Sequence, residues 1–157
     1  MLSPTGSSPT RGETLPPLDV EVGARTVIMG ASSSRDWQPQ HHDHAWATQR
    51  AGTKDIFLNT PNQAGWIERY LTDWTGPKGR LGRLRFRMRR PVYPGEVLSF
   101  RGTVVDLVTD EHGTTFADVE VTLAVGEEVA TECRARIAVP AGDDDNPWTR
   151  TAETWRP

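Results

Sequence analysis

The chain has little cysteine, no long apolar run and little excess charge, and each shortage excludes something. Its single thiol, Cys133, has no partner for an internal disulfide and fits a reducing, cytoplasmic setting. No stretch approaches the roughly 20 consecutive apolar residues that a membrane-spanning helix requires. Met1 to Pro17 is rich in Ser, Thr, Pro and Gly but lacks the apolar centre of a secretory signal. It reads as a mobile arm. A net charge of -3 and a pI near 5.8 speak against a nucleic-acid binder, which is normally basic. Internal repeats are absent, and so are the HExxH and CxxC spacings of common metal sites.

What is present is enough for one domain: 157 residues can bury a real core. The expected division is an arm over 1–17, a domain over 18–140 and a tail over 141–157. The tail carries the run Asp143-Asp144-Asp145 and no periodicity, yet it holds Trp148 and Trp155. Two indoles in a tail need cover, from their own subunit or from a partner.

Along the domain, Thr26-Val27-Ile28-Met29 predicts a strand near Arg25 to Gly30. A short helix is expected over His41 to Gln49, stopped by Gly52. The best-marked helix runs from about Pro61 to Thr75. Thr60-Pro61-Asn62-Gln63 reads as a capping box, Ala64, Ile67, Leu71 and Trp74 form an apolar stripe, and Gly76-Pro77 closes it. Trp66 and Tyr70 lie off that stripe, open to a core, partner or ligand role. Leu84, Phe86 and Met88 then alternate with Arg83, Arg85, Arg87 and Arg89, a period-two strand. Val92-Tyr93-Pro94-Gly95 makes a turn. Val97 to Val108 is a long strand with a bend or bulge expected at Gly102. Asp110 to Gly113 turns the chain, and two more alternating strands follow, with Cys133 on an apolar face. A strand, two helices and four antiparallel strands predict an α+β hot-dog fold, one long helix wrapped by a curved antiparallel sheet. An open sheet edge favours pairing with another copy or a relative.

The chemistry-bearing stretch is Arg35 to Asp43. Asp36 and His41 are five positions apart with Pro39 between them. On an extended strand they could not share a target, but a proline-bent loop can bring both onto one water molecule. A carboxylate and a neutral imidazole on one water suffice for general acid–base chemistry near neutral pH. Read alone, Asp36 is more readily a helix-entry or turn residue and His41 a satisfied loop histidine. The run His41-His42-Asp43-His44 is a poor metal site, because adjacent ligands do not easily close on one ion.

Asp36, Pro39, His41 and Ala47 together resemble the signature of the MaoC-like, R-specific enoyl-CoA hydratases. Arg90-Pro91-Val92-Tyr93-Pro94-Gly95-Glu96 is similar to a second segment of that family, and the likeness spans about Arg25 to Pro140. Arg35 stands where the family has Gly, Gln38 where it has Asn, and Leu58-Asn59 where it has His-Gly. With Lys54-Asp55-Ile56-Phe57 and the stretch from Arg69 to Gly76, these departures resemble the small catalytic subunit of actinobacterial hydratases acting on steroid side-chain enoyl-CoA thioesters.

The resemblance implies that Asp36 and His41 activate water and that the main-chain amides of Asn59 and Thr60 hold the enolate oxygen. It implies an acyl-CoA thioester substrate, no cofactor beyond the coenzyme A of that substrate, and a second MaoC-like chain as partner in a heterotetramer. The arginine face of Arg85, Arg87 and Arg89 is either a cradle for coenzyme A phosphates or a solvated strand face, and Lys78 and Arg80 share that ambiguity. A non-catalytic hot-dog subunit or acyl-CoA-binding module, a homodimeric hydratase and a thioesterase are the alternatives.

Overall fold

The computed structural model describes residues 8–157; Met1 to Ser7, the first part of the expected arm, lie outside the described residues. The elements are β1 (Leu18–Glu21), α1 (Ala24–Ser33), α2 (His44–Gln49), α3 (Thr60–Thr75), β2 (Arg80–Met88), β3 (Val97–Thr109), β4 (Thr115–Val125) and β5 (Glu128–Val139). Single 3-10 turns occur at Pro39–His41 and Pro147–Thr149. The strands form one antiparallel sheet in the order β1-β3-β4-β5-β2.

The long helix α3 buries Ile67, Tyr70, Leu71 and Trp74 against the inward rows of the sheet. Those rows include Leu98, Phe100 and Val104 of β3, Val119, Val121 and Leu123 of β4, and Cys133, Ala135 and Ile137 of β5. This is the expected hot-dog arrangement. Tyr70 and Cys133 therefore belong to the core, while Trp66 packs at its margin. Burial pushes the Cys133 thiol up to about 12.

Three expectations need correction. The segment read as a strand is the helix α1, and the preceding Leu18–Glu21 is the strand, paired with β3. The β-branched run looks extended by propensity, but Val27 and Ala31, one helical turn apart, bury their side chains. Gly30 lets α1 close on the Asn62 side chain of α3: a Cβ there would lie 2.0 Å from Asn62 Nδ2. The irregularity in β3 falls between Val104 and Asp106, not at Gly102. Gly102 is small for another reason, since a Cβ there would press on Tyr70 and Leu15 at 3.1 Å. Finally, the arm is bound to β3 well before Pro17. Gly12 N–H donates to Val104 O, Leu15 N–H donates to Gly102 O, and Leu15 is buried.

The strand order puts β2 and β3 on different sides of the sheet, so residues 89–96 form a crossing rather than a hairpin. Val92 is fully buried along that crossing, and its carbonyl accepts from Leu58 N–H at 2.9 Å. The tail packs on its own chain. Trp155 stacks over the Arg80 guanidinium at 3.8 Å and against Phe116, and Trp148 Nε1 donates to Gly79 O. Arg80 is thereby engaged by the tail, and Lys78 Nζ donates to Asp143 O. Among the described residues no helix is long and apolar enough to cross a membrane.

Candidate active site

Asp36 takes its place from the end of α1. Asp36 N–H donates to Ala31 O and Arg35 N–H to Ser32 O, the paired bonds of a Schellman turn. That turn needs a left-handed residue, and Arg35 has φ 55°. The position therefore suits Gly, and Arg35 occupies it under strain. The chain then turns through Pro39–His41, and the side chain of Asp36 receives the Gln38 N–H on Oδ1 at 3.3 Å.

His41 arrives from the other side of that loop and is 4% exposed. Its Nδ1 lies 2.7 Å from the carbonyl oxygen of Phe57. A carbonyl only accepts, so Nδ1 carries the hydrogen and a neutral ring presents its lone pair at Nε2. Nε2 faces Asp36 Oδ2 at 3.5 Å. The Phe57 ring meets the imidazole edge-on at 4.9 Å, and Tyr93 meets Phe57 in turn at 6.3 Å.

Behind Tyr93 lies a charged brace. Glu96 accepts from Tyr93 N–H at 2.9 Å, from Lys54 Nζ at 3.0 Å and from Arg90 at 2.6 Å. Partial burial pushes the Glu96 carboxyl up, but these donors outweigh it and hold the group below its ordinary value. The Arg90–Glu96 segment thus fastens the strip that carries Phe57 and Leu58 beside His41. Its distinctive sequence is structural support for the site.

The start of α3 completes the cluster. The N-cap is Asn59, one residue earlier than the expected Thr60, and its Oδ1 accepts from Asn62 N–H at 3.3 Å. Its Nδ2 donates to Asp36 Oδ2 at 3.0 Å and to Ser34 Oγ at 2.8 Å. The main-chain amides of Asn59 and Thr60 have no main-chain acceptor among the described residues. They sit at the positive end of a 16-residue helix. Asp36, His41 and the Asn59 end of α3 are therefore brought together.

The other candidates divide. Arg85 and Arg87 are exposed on the edge strand β2, in a trough of about 500 Å³ shared with Glu120, Glu132 and Arg134. Neither Asp36 nor His41 lines that trough. Arg89 is ion-paired to Glu132. The end of β2 nevertheless reaches the site region, because Thr60 Oγ1 contacts Met88 Sδ at 3.8 Å. His42 is exposed, and His44 pairs with Asp55 at 2.8 Å, which holds the Asp55 carboxyl below its ordinary value. Ser34 and the side chain of Asn59 were missed by sequence reasoning. Asn is a strong N-cap residue and was the available signal, overlooked because Thr60 also fits that role.

Comparison with known proteins places the chain in a family. No family model matches the chain. The beta subunit of 3-oxo-4,17-pregnadiene-20-carboxyl-CoA hydratase from Mycobacterium tuberculosis is 34% identical over 93 residues, 59% of this chain and 71% of that protein. The chain belongs to the MaoC-like hydratase family. A chain in the ChsH1–ChsH2 complex of Mycobacterium tuberculosis superposes with a TM-score of 0.76 at 27% identity, covering 83% of this chain and 98% of that one. An (R)-hydratase from A. caviae involved in PHA biosynthesis superposes with a TM-score of 0.75 at 21% identity, over 85% of this chain and 98% of that one. The second likeness is one of fold. The first carries both fold and sequence, and the MaoC-like chain described here shares the hot-dog architecture with both.

Proposed function

We propose that this MaoC-like chain hydrates the α,β double bond of an enoyl-CoA thioester, with Asp36 and His41 activating the water. The observation that carries the reading is the 3.5 Å approach of His41 Nε2 to Asp36 Oδ2, two acceptors facing one point. A water there donates one hydrogen to each and turns its own lone pairs outward, toward an incoming β-carbon. As the C–O bond forms, Asp36 takes a proton from the water that His41 orients. That same proton then passes through His41 Nε2 to the α-carbon as the enolate collapses, leaving both groups as they began. The double bond's electrons move onto the thioester oxygen. The main-chain amides of Asn59 and Thr60, aided by the α3 dipole, stabilise that enolate. Coenzyme A enters as part of the substrate, and the scheme requires no other cofactor. Arg85 and Arg87 are the remaining candidates for its phosphates; Arg89 would have to leave Glu132 first.

The acyl group is proposed to be a steroid side-chain enoyl thioester, and the chain to work as half of a heteromer with a second hot-dog subunit. Support comes from the name of the 34%-identical relative, itself a beta subunit, and from the likeness to a chain of a two-component complex.

The test is loss of enoyl absorbance with the chain alone and with its partner, for wild type, Asp36→Asn and His41→Ala. Both variants are expected to fold and to lose most hydration. Wild-type rates in both would overturn the assignment. Release of free thiol from an acyl-CoA would instead mark a thioesterase.

A further inference from the structure

We infer that the side chain of Asn59, as distinct from its main-chain amide, is a positioning residue that holds the Asp36 carboxylate in place and ties α1 to α3 across the site. The inference rests on the reading of Asp36 as a water-activating group. Asn59 is 1% exposed, and its carboxamide is fully used. The oxygen caps α3 through Asn62 N–H, and the two hydrogens of Nδ2 go to Asp36 Oδ2 and Ser34 Oγ. Ser34 passes the connection on, donating to Gly30 O at 2.8 Å in the last turns of α1.

One set of fixed donors and acceptors therefore runs from the C-terminal end of α1 to the first turn of α3, with Asp36 in its middle. The oxygen that Asn59 grips is the one that faces His41. Without that grip the carboxylate is left with the longer Gln38 N–H contact on its other oxygen, and it is free to rotate away from Nε2. Among the residues that cap helices well, Ser, Thr, Asp and Asn, Asn alone accepts from the helix and donates two hydrogens elsewhere. Capping accounts for the oxygen of Asn59. It does not account for the nitrogen.

The experiment separates capping from positioning. Asn59→Ser retains a capping oxygen and the main-chain amide but is too short to reach Asp36. It is assayed in the chain with its partner, on whichever of crotonyl-CoA and a steroid enoyl-CoA the wild type turns over faster. The expected result is an unchanged KM and a kcat lowered by about 10- to 100-fold. In the Asp36→Asn background, adding Asn59→Ser should lower the residual rate no further. Asn59→Asp, a strong cap without a hydrogen to donate, is the second variant and should lose at least as much kcat while remaining folded. Wild-type kcat in either folded variant, or an equal loss with and without Asp36, would overturn the inference. Full activity of Asp36→Asn by itself would instead overturn the assignment of the site.

Discussion

Nδ1 of His41 lies 2.7 Å from the carbonyl oxygen of Phe57, and that one contact orients the ring. It assigns the hydrogen to Nδ1, turns Nε2 toward Asp36, and makes the 54–58 strip part of the candidate site through a main-chain carbonyl. The Arg90–Glu96 crossing supports the strip from behind, through Leu58 N–H to Val92 O and through the Glu96 brace. The site is held from three sides: the end of α1, the crossing and the start of α3.

Arg35 has φ 55° in the turn that presents Asp36. Replacing it with Gly should relieve the left-handed strain and raise stability by about 1 kcal/mol. A β-branched residue such as Val should lower it by a similar amount or more. Urea unfolding of Arg35→Gly and Arg35→Val reads both directions.

Gln63 is fully buried in α3, and its Oε1 accepts from Thr131 Oγ1 at 2.7 Å. Its Nε2 has no partner among the described residues. Thr131→Val keeps the shape but strands the carboxamide, and should cost about 1–3 kcal/mol. Gln63→Met in the same molecule should recover much of that loss. A double-mutant cycle by chemical denaturation measures the coupling.

Cys133 is 4% exposed, and burial pushes its thiol up to about 12. The thiolate is the reactive form, so an aromatic disulfide reagent at mildly alkaline pH should label the folded chain only at the rate of opening. In denaturant one equivalent of thiol should react at once. Fast labelling of folded protein would contradict the core position of this residue.

Two of the depressed carboxylates, Asp118 and Glu96, contribute to the acid limit. The Arg136 guanidinium grips Asp118 with two bonds of 2.7 Å and holds it below its ordinary 3.8, outweighing partial burial. Glu96, ordinarily 4.5, is pushed up by burial but lowered overall by Tyr93 N–H, Lys54 and Arg90. A group whose folded-state value is depressed stabilises the fold above its unfolded value, and that contribution disappears as pH falls through the folded value. Tm should therefore drop as pH falls below about 4–5. Asp118→Asn should lower Tm at neutral pH and make the acid decline shallower, which calorimetry across that range would show.

Much of this was legible in the chain because it is local. Ala64, Ile67, Leu71 and Trp74 mark α3 by spacing, and the alternating residues of β2 to β5 mark their strands by period two. The turn residues Gly113 and Gly126 do take positive φ where the chain reverses. Asp36 and His41 stood out through a short loop with a proline between them. The helix α1 was misread for the converse reason. Thr26 to Met29 looks extended by propensity, and tertiary packing, the burial of Val27 and Ala31 and the fit of Gly30 against Asn62, favours the helix.

By itself the sequence determined the helix and strand periods and the long capped helix, and it put forward Asp36 and His41 as a candidate pair. These depend on residues within a turn or a strand of one another. Only the tertiary structure decided that β2 pairs with β5 across the sheet from β3, that His41 carries its hydrogen on Nδ1, and that Asn59 grips Asp36. Those facts join residues 16 and 23 positions apart, or strands that are not consecutive. Periodicity cannot express such pairings, because the free energy that selects them comes from packing and hydrogen bonds formed only once the sheet has closed around α3.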